Sequence, residues 1–278
     1  MKDSRYAPCK ILLEESIPSL IWFEDAVARY GVPTVVFDLC LIVPDIQHAA
    51  DILHQRGWRL KPPGPYSFLT PPCPVQYRRL ICPVRENERN QGDAFDSPET
   101  GTSLLSERTS TVLLSATEWK IPTERLHEAS NNHHLPSLPV LANGLITNLL
   151  DAPDGSNVAE HLSMMLGYLY DYSSEVKTEG FENCLNLENR QFHLDCISGQ
   201  LSLWTLPFAR HQRQVREDIR QGHHEFRECS VARTPENRSL FKDDWNELAE
   251  RLGRSHQTYE EVKAAILQEE YDDDDDEV

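Results

Sequence analysis

The sequence predicts an α/β core over residues 1–120, a mainly helical region over 121–268, and a disordered acidic tail over 269–278. Three observations predict it. Residues 34–43 (TVVFDLCLIV), rich in β-branched and aromatic side chains, sit between two helical patterns. Two further strand-like runs follow, at 75–84 (VQYRRLICPV) and 111–117 (TVLLSAT). From Ile121 onward the pattern is mostly helical.

Taken in order, Ser16-Ile17-Pro18 opens a first helix, because proline is tolerated in the first turn and Ser16 can cap it. Gly31 ends that helix and Pro33 prevents its continuation. The strand 34–43 follows. Pro44-Asp45 then starts a second helix, IQHAADILHQR, whose Ile46, Ala49, Ala50 and Leu53 recur at one-face spacing before Gly57 closes it. Residues 61–74 are proline-rich and irregular, and 85–110 are polar and turn-prone, which predicts a flexible loop. Helices are expected over 135–150, 158–172, 207–221 and 242–268, while 182–206 fits either strands or helix. No internal repeat is visible.

Apolar residues make up 39% of the 278, enough for a core and too many for wholesale disorder. The net charge is −18, and residues 269–278 (EEYDDDDDEV) hold eight acids and no base, which leaves −10 on the rest. An acidic chain of this kind argues against a dedicated nucleic-acid partner, since phosphate contacts need a basic surface. The longest apolar stretch, 32–43, is broken by Asp38 and is too short to span a bilayer, so no membrane insertion is expected. The N-terminus, MKDSRYAPCKILLEE, lacks the apolar core of a signal peptide. Cysteines at 9, 40, 73, 82, 184, 196 and 229 are odd in number and form no C-x-x-C, which fits a reduced, cytoplasmic protein.

Alternation along 34–43 puts Val35, Phe37, Leu39, Leu41 and Val43 on one apolar face and Thr34, Val36, Asp38, Cys40 and Ile42 on the other. Asp38 is then the one ionisable carboxyl of a buried strand. A buried carboxylate is costly unless paired or protonated, so Asp38 is either functional, bonded to a neighbouring loop, or at a wet edge. In the preceding helix, Glu24 falls inside the stripe Ile17, Leu20, Ile21, Val27, Ala28, whereas Asp25 and Arg29 form an expected surface pair. Glu24 and Asp38 are therefore the candidate catalytic residues: brought together, two carboxyls raise at least one pKa and supply an acid and a base.

The succession EDAVARYG, VPTVVFDLCLIV and PDIQHAADILHQRGW resembles the minimal core of the nucleotidyltransferase fold, closest to a fungal branch of that superfamily. The resemblance covers residues 16–60, extending to 117 if the later strands join the same mixed sheet. It implies a nucleotidyltransferase-like mixed sheet, two Mg²⁺ ions on a D-x-D pair and a third carboxylate, and a Gly-Gly or Gly-Ser turn for phosphates. Asp38 alone carries over. Cys40 stands at the second D-x-D position, and a soft thiol suits Mg²⁺ poorly. Trp22-Phe23-Glu24 replaces the glycine turn, and Glu118 is the candidate third carboxylate. A likeness to the norbornene-forming Diels–Alderases of sordarin-type terpenoid biosynthesis accompanies it, and implies cyclisation or cycloaddition of a terpenoid or polyketide without metal or cofactor.

Trp22, Phe23, Tyr30 and Cys40, with Tyr77 and Trp119 from the later strands, are the candidate walls for a hydrophobic small-molecule substrate. No metal site is expected, because His133-His134 and His223-His224 are adjacent pairs rather than spaced ligands. Cys184 and Cys196 read as buried small residues, and Met164, Met165, Tyr168 and Tyr172 as a core face. Arg210, Arg213, Arg216 and Arg220 read as a solvated stripe or a partner of the acidic tail.

Overall fold

The computed structural model describes residues 5–62, 69, 76–82 and 110–242. The helix expected beyond Lys242, the acidic tail and residues 85–109 of the expected loop lie outside the described residues; Ser110 is a buried first residue of a strand.

The chain is α/β, with a five-stranded mixed sheet. In order come α1 (Ala7–Glu14), β1 (Leu20–Trp22), α2 (Glu24–Ala28), β2 (Leu39–Val43), α3 (Ile46–Gln55), β3 (Arg59–Lys61), β4 (Tyr77–Ile81) and β5 (Ser110–Ser115). Helices α4 (Thr123–Asn131), α5 (Leu138–Asp151), α6 (Asn157–Tyr172), α7 (Arg190–Ile197) and α8 (Leu206–Arg220) follow, with short 3-10 turns between 175 and 189 and at Pro235–Leu240. The sheet order is β1-β2-β5-β4-β3, in which β2 and β5 are parallel and every other pair antiparallel.

Alternation along the central strands builds two cores. Leu39, Leu41 and Val43 of β2, with Ile21 and Leu113, face α1 and α3. Cys40 and Ile42, with Trp22, Val112 and Leu114, face a larger core made with α2 and the helices after β5. Trp22 lies directly opposite Cys40 in the β1–β2 register, and its ring packs on Gly144 of α5 so closely that a Cβ there would meet it at 2.5 Å. Local signals fix the ends of α3 as expected: the Asp45 carboxylate accepts from the His48 N–H at 2.9 Å, and Gly57 takes a positive φ of 92°.

Several expectations are corrected. The helix expected from Ser16 to Gly31 is strand β1 followed by the one-turn α2, since Leu20-Ile21-Trp22 is buried throughout and pairs with β2, and Phe23 turns the chain with φ 56° and ψ −128°. The strand expected over 34–43 is confined to Leu39–Val43. Val35 is 70% and Phe37 68% exposed, so they belong to no core face; at their level β1 has already turned away into α2. Asp25 and Arg29 form no surface pair, because Asp25 is buried against Arg5 while Arg29 is exposed. Residues 182–206, which fitted either strands or helix, hold 3-10 turns and α7, with an isolated β-bridge from Leu201 to Phe241. Met165 is buried, whereas Met164, Tyr168 and Tyr172 are exposed on the opposite side of α6. Cys196 is buried and Cys184 exposed. The arginine stripe is paired within the described residues, Arg210 and Arg213 with Asp154, Arg216 with Asp151, and Arg220 with Glu188.

Candidate functional site

The site lies where β1 turns into α2, beside the start of β2. Three carboxyls and one thiol lie near enough there to feel one another's charge, and the carboxyls differ in how that charge is answered. Asp25 is buried and accepts from Arg5 Nε at 2.8 Å, Arg5 Nη2 at 2.5 Å and the Tyr6 hydroxyl at 2.8 Å. Burial, reinforced by that hydrogen bond, pushes the Tyr6 phenol up to about 12, so it remains a donor. Asp38 immediately precedes β2. Its carboxylate lies 3.0 and 3.1 Å from Arg79 Nη2 of β4 and accepts from the Ser110 hydroxyl of β5. Arg79 Nε donates to that same hydroxyl at 2.6 Å, closing a triangle across three strands.

Glu24 opens α2 and is buried, and among the described residues its ion-pair partner is no arginine or lysine. His161 of α6 stands opposite, with Nε2 3.6 Å from Glu24 Oε1. Burial pushes the Glu24 carboxyl up to about 7, a backbone hydrogen bond and the charge of Arg5 working against it and the charges of Asp25 and Asp38 with it. Burial pulls the His161 imidazole down to about 4. Between about pH 4 and 7 the pair is therefore mainly a neutral acid beside a neutral base. Cys40, fully buried on the same sheet face as Asp38, has its thiol driven well above its ordinary value by burial and by the same carboxyls.

The aromatic expectations divide. Trp22, Phe23 and Trp119 are buried and meet edge to face, with ring centroids 6.2 Å apart for Trp22–Phe23, 6.4 Å for Trp22–Trp119 and 5.1 Å for Phe23–Trp119. The Phe23 ring also meets the His161 ring at 4.8 Å. Tyr30 is tied to the Pro136 carbonyl, to which its hydroxyl donates at 2.6 Å. Tyr77 pairs with Leu114, at the end of β5 away from Asp38. His161, Arg79, Ser110 and Arg5 escape sequence reasoning. The trace of His161 in the sequence is its place among Val158, Leu162, Met165 and Leu169, the buried stripe of α6.

The residues do not fit the divalent ions that the resemblance implies. Both Asp38 oxygens serve Arg79 and Ser110, and Cys40 is held as a protonated thiol. Glu118 is exposed, accepts from the Gln76 N–H at 2.8 Å, and lies past the far end of β5 from Asp38, roughly 15 Å away by strand rise. Among the described residues no three His, Cys, Asp or Glu side chains converge to hold a metal. Nor is any helix among them long and apolar enough to cross a membrane. Comparison with models of known protein families and with curated proteins gives no match.

Proposed function

We propose that this chain is a metal- and cofactor-independent enzyme that acts on a hydrophobic small molecule of terpenoid or polyketide type and promotes its cyclisation or cycloaddition. The observation that carries the reading is the uneven answering of charge: Asp25 and Asp38 each hold an arginine, while Glu24 faces a neutral imidazole within an aromatic cluster. A carboxyl raised to about 7 is half protonated at neutral pH and can deliver its proton, as a general acid must. Loss of water needs a proton given to the departing hydroxyl and another taken from the neighbouring carbon. Glu24 and the imidazole beside it supply both, with no net change in protonation. Cycloaddition then needs only two unsaturated groups held in reactive contact, a task for rigid ring faces such as those of Trp22, Phe23 and Trp119.

A nucleotidyltransferase-like scaffold, stripped of its metal chemistry, is part of the same proposal. Two observations support it. Strand β1 runs antiparallel to β2 and β2 parallel to β5, a mixed three-stranded core with Cys40 on one face and Asp38 immediately before β2. Phe23, within the Trp22-Phe23-Glu24 segment that stands in place of the family's glycine turn, has φ 56° and ψ −128°, a conformation that glycine adopts freely and phenylalanine only under strain. The described carboxyls speak against the rival reading of an Mg²⁺-dependent transferase.

Thermal-shift measurement tests the proposal, since ligands stabilise by binding the native state. Bicyclic terpenoids should raise Tm without added metal, and Mg²⁺ with ATP should leave it unchanged. A shift with Mg²⁺ and ATP alone would support the transferase and sink this reading; no response to either class would favour a non-catalytic scaffold protein. Once a substrate is found, Glu24→Gln should lower turnover by about 10²–10⁴-fold. Turnover of the parent enzyme should fall as pH rises through about 7, where Glu24 loses its proton.

A further inference from the structure

Charge is unevenly placed along this acidic chain. Residues 52–85 hold six arginine and lysine side chains and no aspartate or glutamate, the longest stretch of the sequence without an acid. Its described part forms the rim of the sheet. Strand β3 is an edge strand in the order β1-β2-β5-β4-β3, and among the described residues no strand pairs with its outer side. Lys61 lies opposite Arg79 in the β3–β4 register, Arg59 falls on that same face, and Arg78 on the other. Two of the charges are met locally: Arg79 holds Asp38, and Arg56 holds Glu14 and Glu15. Arg59 and Arg78 are exposed, and among the described residues neither meets a carboxylate. Arg78 donates instead to the Tyr77 carbonyl at 3.2 Å and to the Gln47 amide oxygen at 3.5 Å. Leu60, between Arg59 and Lys61, is 62% exposed.

The complementary charge is in the chain itself. Residues 269–278 hold eight acids and no base, and the α8 arginines expected as their partners are held by Asp151, Asp154 and Glu188. We propose that residues 269–278 lie along the outer edge of β3 in the same molecule, with their carboxylates against Arg59, Lys61 and Arg78. The distance is within reach. Residues 243–268 follow Lys242, the last described residue, and would span about 40 Å even as a continuous helix. That is comparable to the width of a globule of this length, whose radius of gyration is about 19 Å. Tethering makes the contact intramolecular, so weak individual attractions add up without a second encounter. Five consecutive aspartates favour no strand, so the contact is one of charge rather than a sixth strand of the sheet. Negative charge laid over this edge would also deny it to a strand from another chain.

The test is ¹H–¹⁵N NMR of the full chain at two ionic strengths. The comparison is with a variant carrying Asp272→Asn, Asp273→Asn, Asp274→Asn, Asp275→Asn and Asp276→Asn together. At about 0.01 M salt, where screening acts over about 30 Å, the two proteins should differ in the backbone amides of Arg59, Leu60, Lys61 and Arg78. At about 1 M salt, where it acts over about 3 Å, the difference should vanish. Arg59→Gln combined with Arg78→Gln should abolish most of the low-salt difference at Leu60 and Lys61. No difference at either salt, or one confined to another surface, would overturn the proposal. A difference that persists at about 1 M would show a contact not carried by charge and overturn it too. A difference at β3 that grows with protein concentration would put the tail of a second copy there, against the same-molecule contact.

Discussion

At the scale of single residues the account rests on Glu24 and His161, whose shifts oppose each other in stability. The folded-state pKa of Glu24 is raised, from 4.5 to about 7, so the folded chain binds the extra proton and loses stability as pH climbs through that range. His161 is lowered, from 6.5 to about 4, so its contribution is lost as pH falls from 6.5 toward 4. Between 4.5 and 6.5 the two slopes cancel. Glu24→Gln removes one, so the stability of that variant should rise with pH across this window, and above pH 7 it should exceed that of the parent by at most about 3 kcal/mol. Urea melts at several pH values check both statements. Gly144→Ala would drive a methyl into the Trp22 ring, and should cost about 1–3 kcal/mol in the same assay. The sequence singled out Glu24 from a helical stripe and Asp38 from a buried strand, and the structure keeps neither ground: Glu24 opens the short α2 after strand β1, and Asp38 ends an exposed segment just before β2. Arg79 and Ser110, the partners of Asp38, lie 41 and 72 residues away from it, and no local spacing announces such pairings.

At the scale of elements, α3 was legible to its ends because Asp45 and Gly57 act through bonds within the helix itself. The helix expected over 16–31 failed for the opposite reason. Leu20-Ile21-Trp22 has no local preference strong enough to resist pairing with β2, and tertiary contact decided its state. A second such case is the coil after α8. Asp195, fully buried on α7, accepts from Gln191 at 3.1 Å, from Gln212, and from the backbone N–H and hydroxyl of Ser230 at 2.7 and 2.6 Å. Gln191 in turn holds the Arg227 backbone through bonds of 2.8 and 3.0 Å. Asp195→Asn turns one acceptor toward its donors as another donor. It should destabilise the chain by about 2 kcal/mol or more, and speed amide exchange over residues 222–231 by roughly tenfold or more. Exchange rates unchanged in that coil would remove Asp195 from its role as the anchor.

At the scale of the whole molecule, the sheet carries apolar residues on both faces of β2 and β5, and one face borders the Glu24–His161 pair. The buried residues of the face toward α1 and α3 are aliphatic apart from Trp58 and Cys9. The opposite face gathers Trp22, Phe23 and Trp119, with Glu24 and His161 at their border. The α/β class and the helical second half were readable because periodicity survives in each segment. The union of α2 with α6 was not, since it joins residues 137 positions apart in sequence through a distance of 3.6 Å. The central claim is that burial without an arginine raises the Glu24 carboxyl until about half of it is protonated at neutral pH. Carboxyl ¹³C NMR titration, with the Glu24 signal identified by its loss in Glu24→Gln, measures this directly. A midpoint near 7 is the predicted result, and a midpoint near 4.5, that of an ordinary glutamate, would contradict the account.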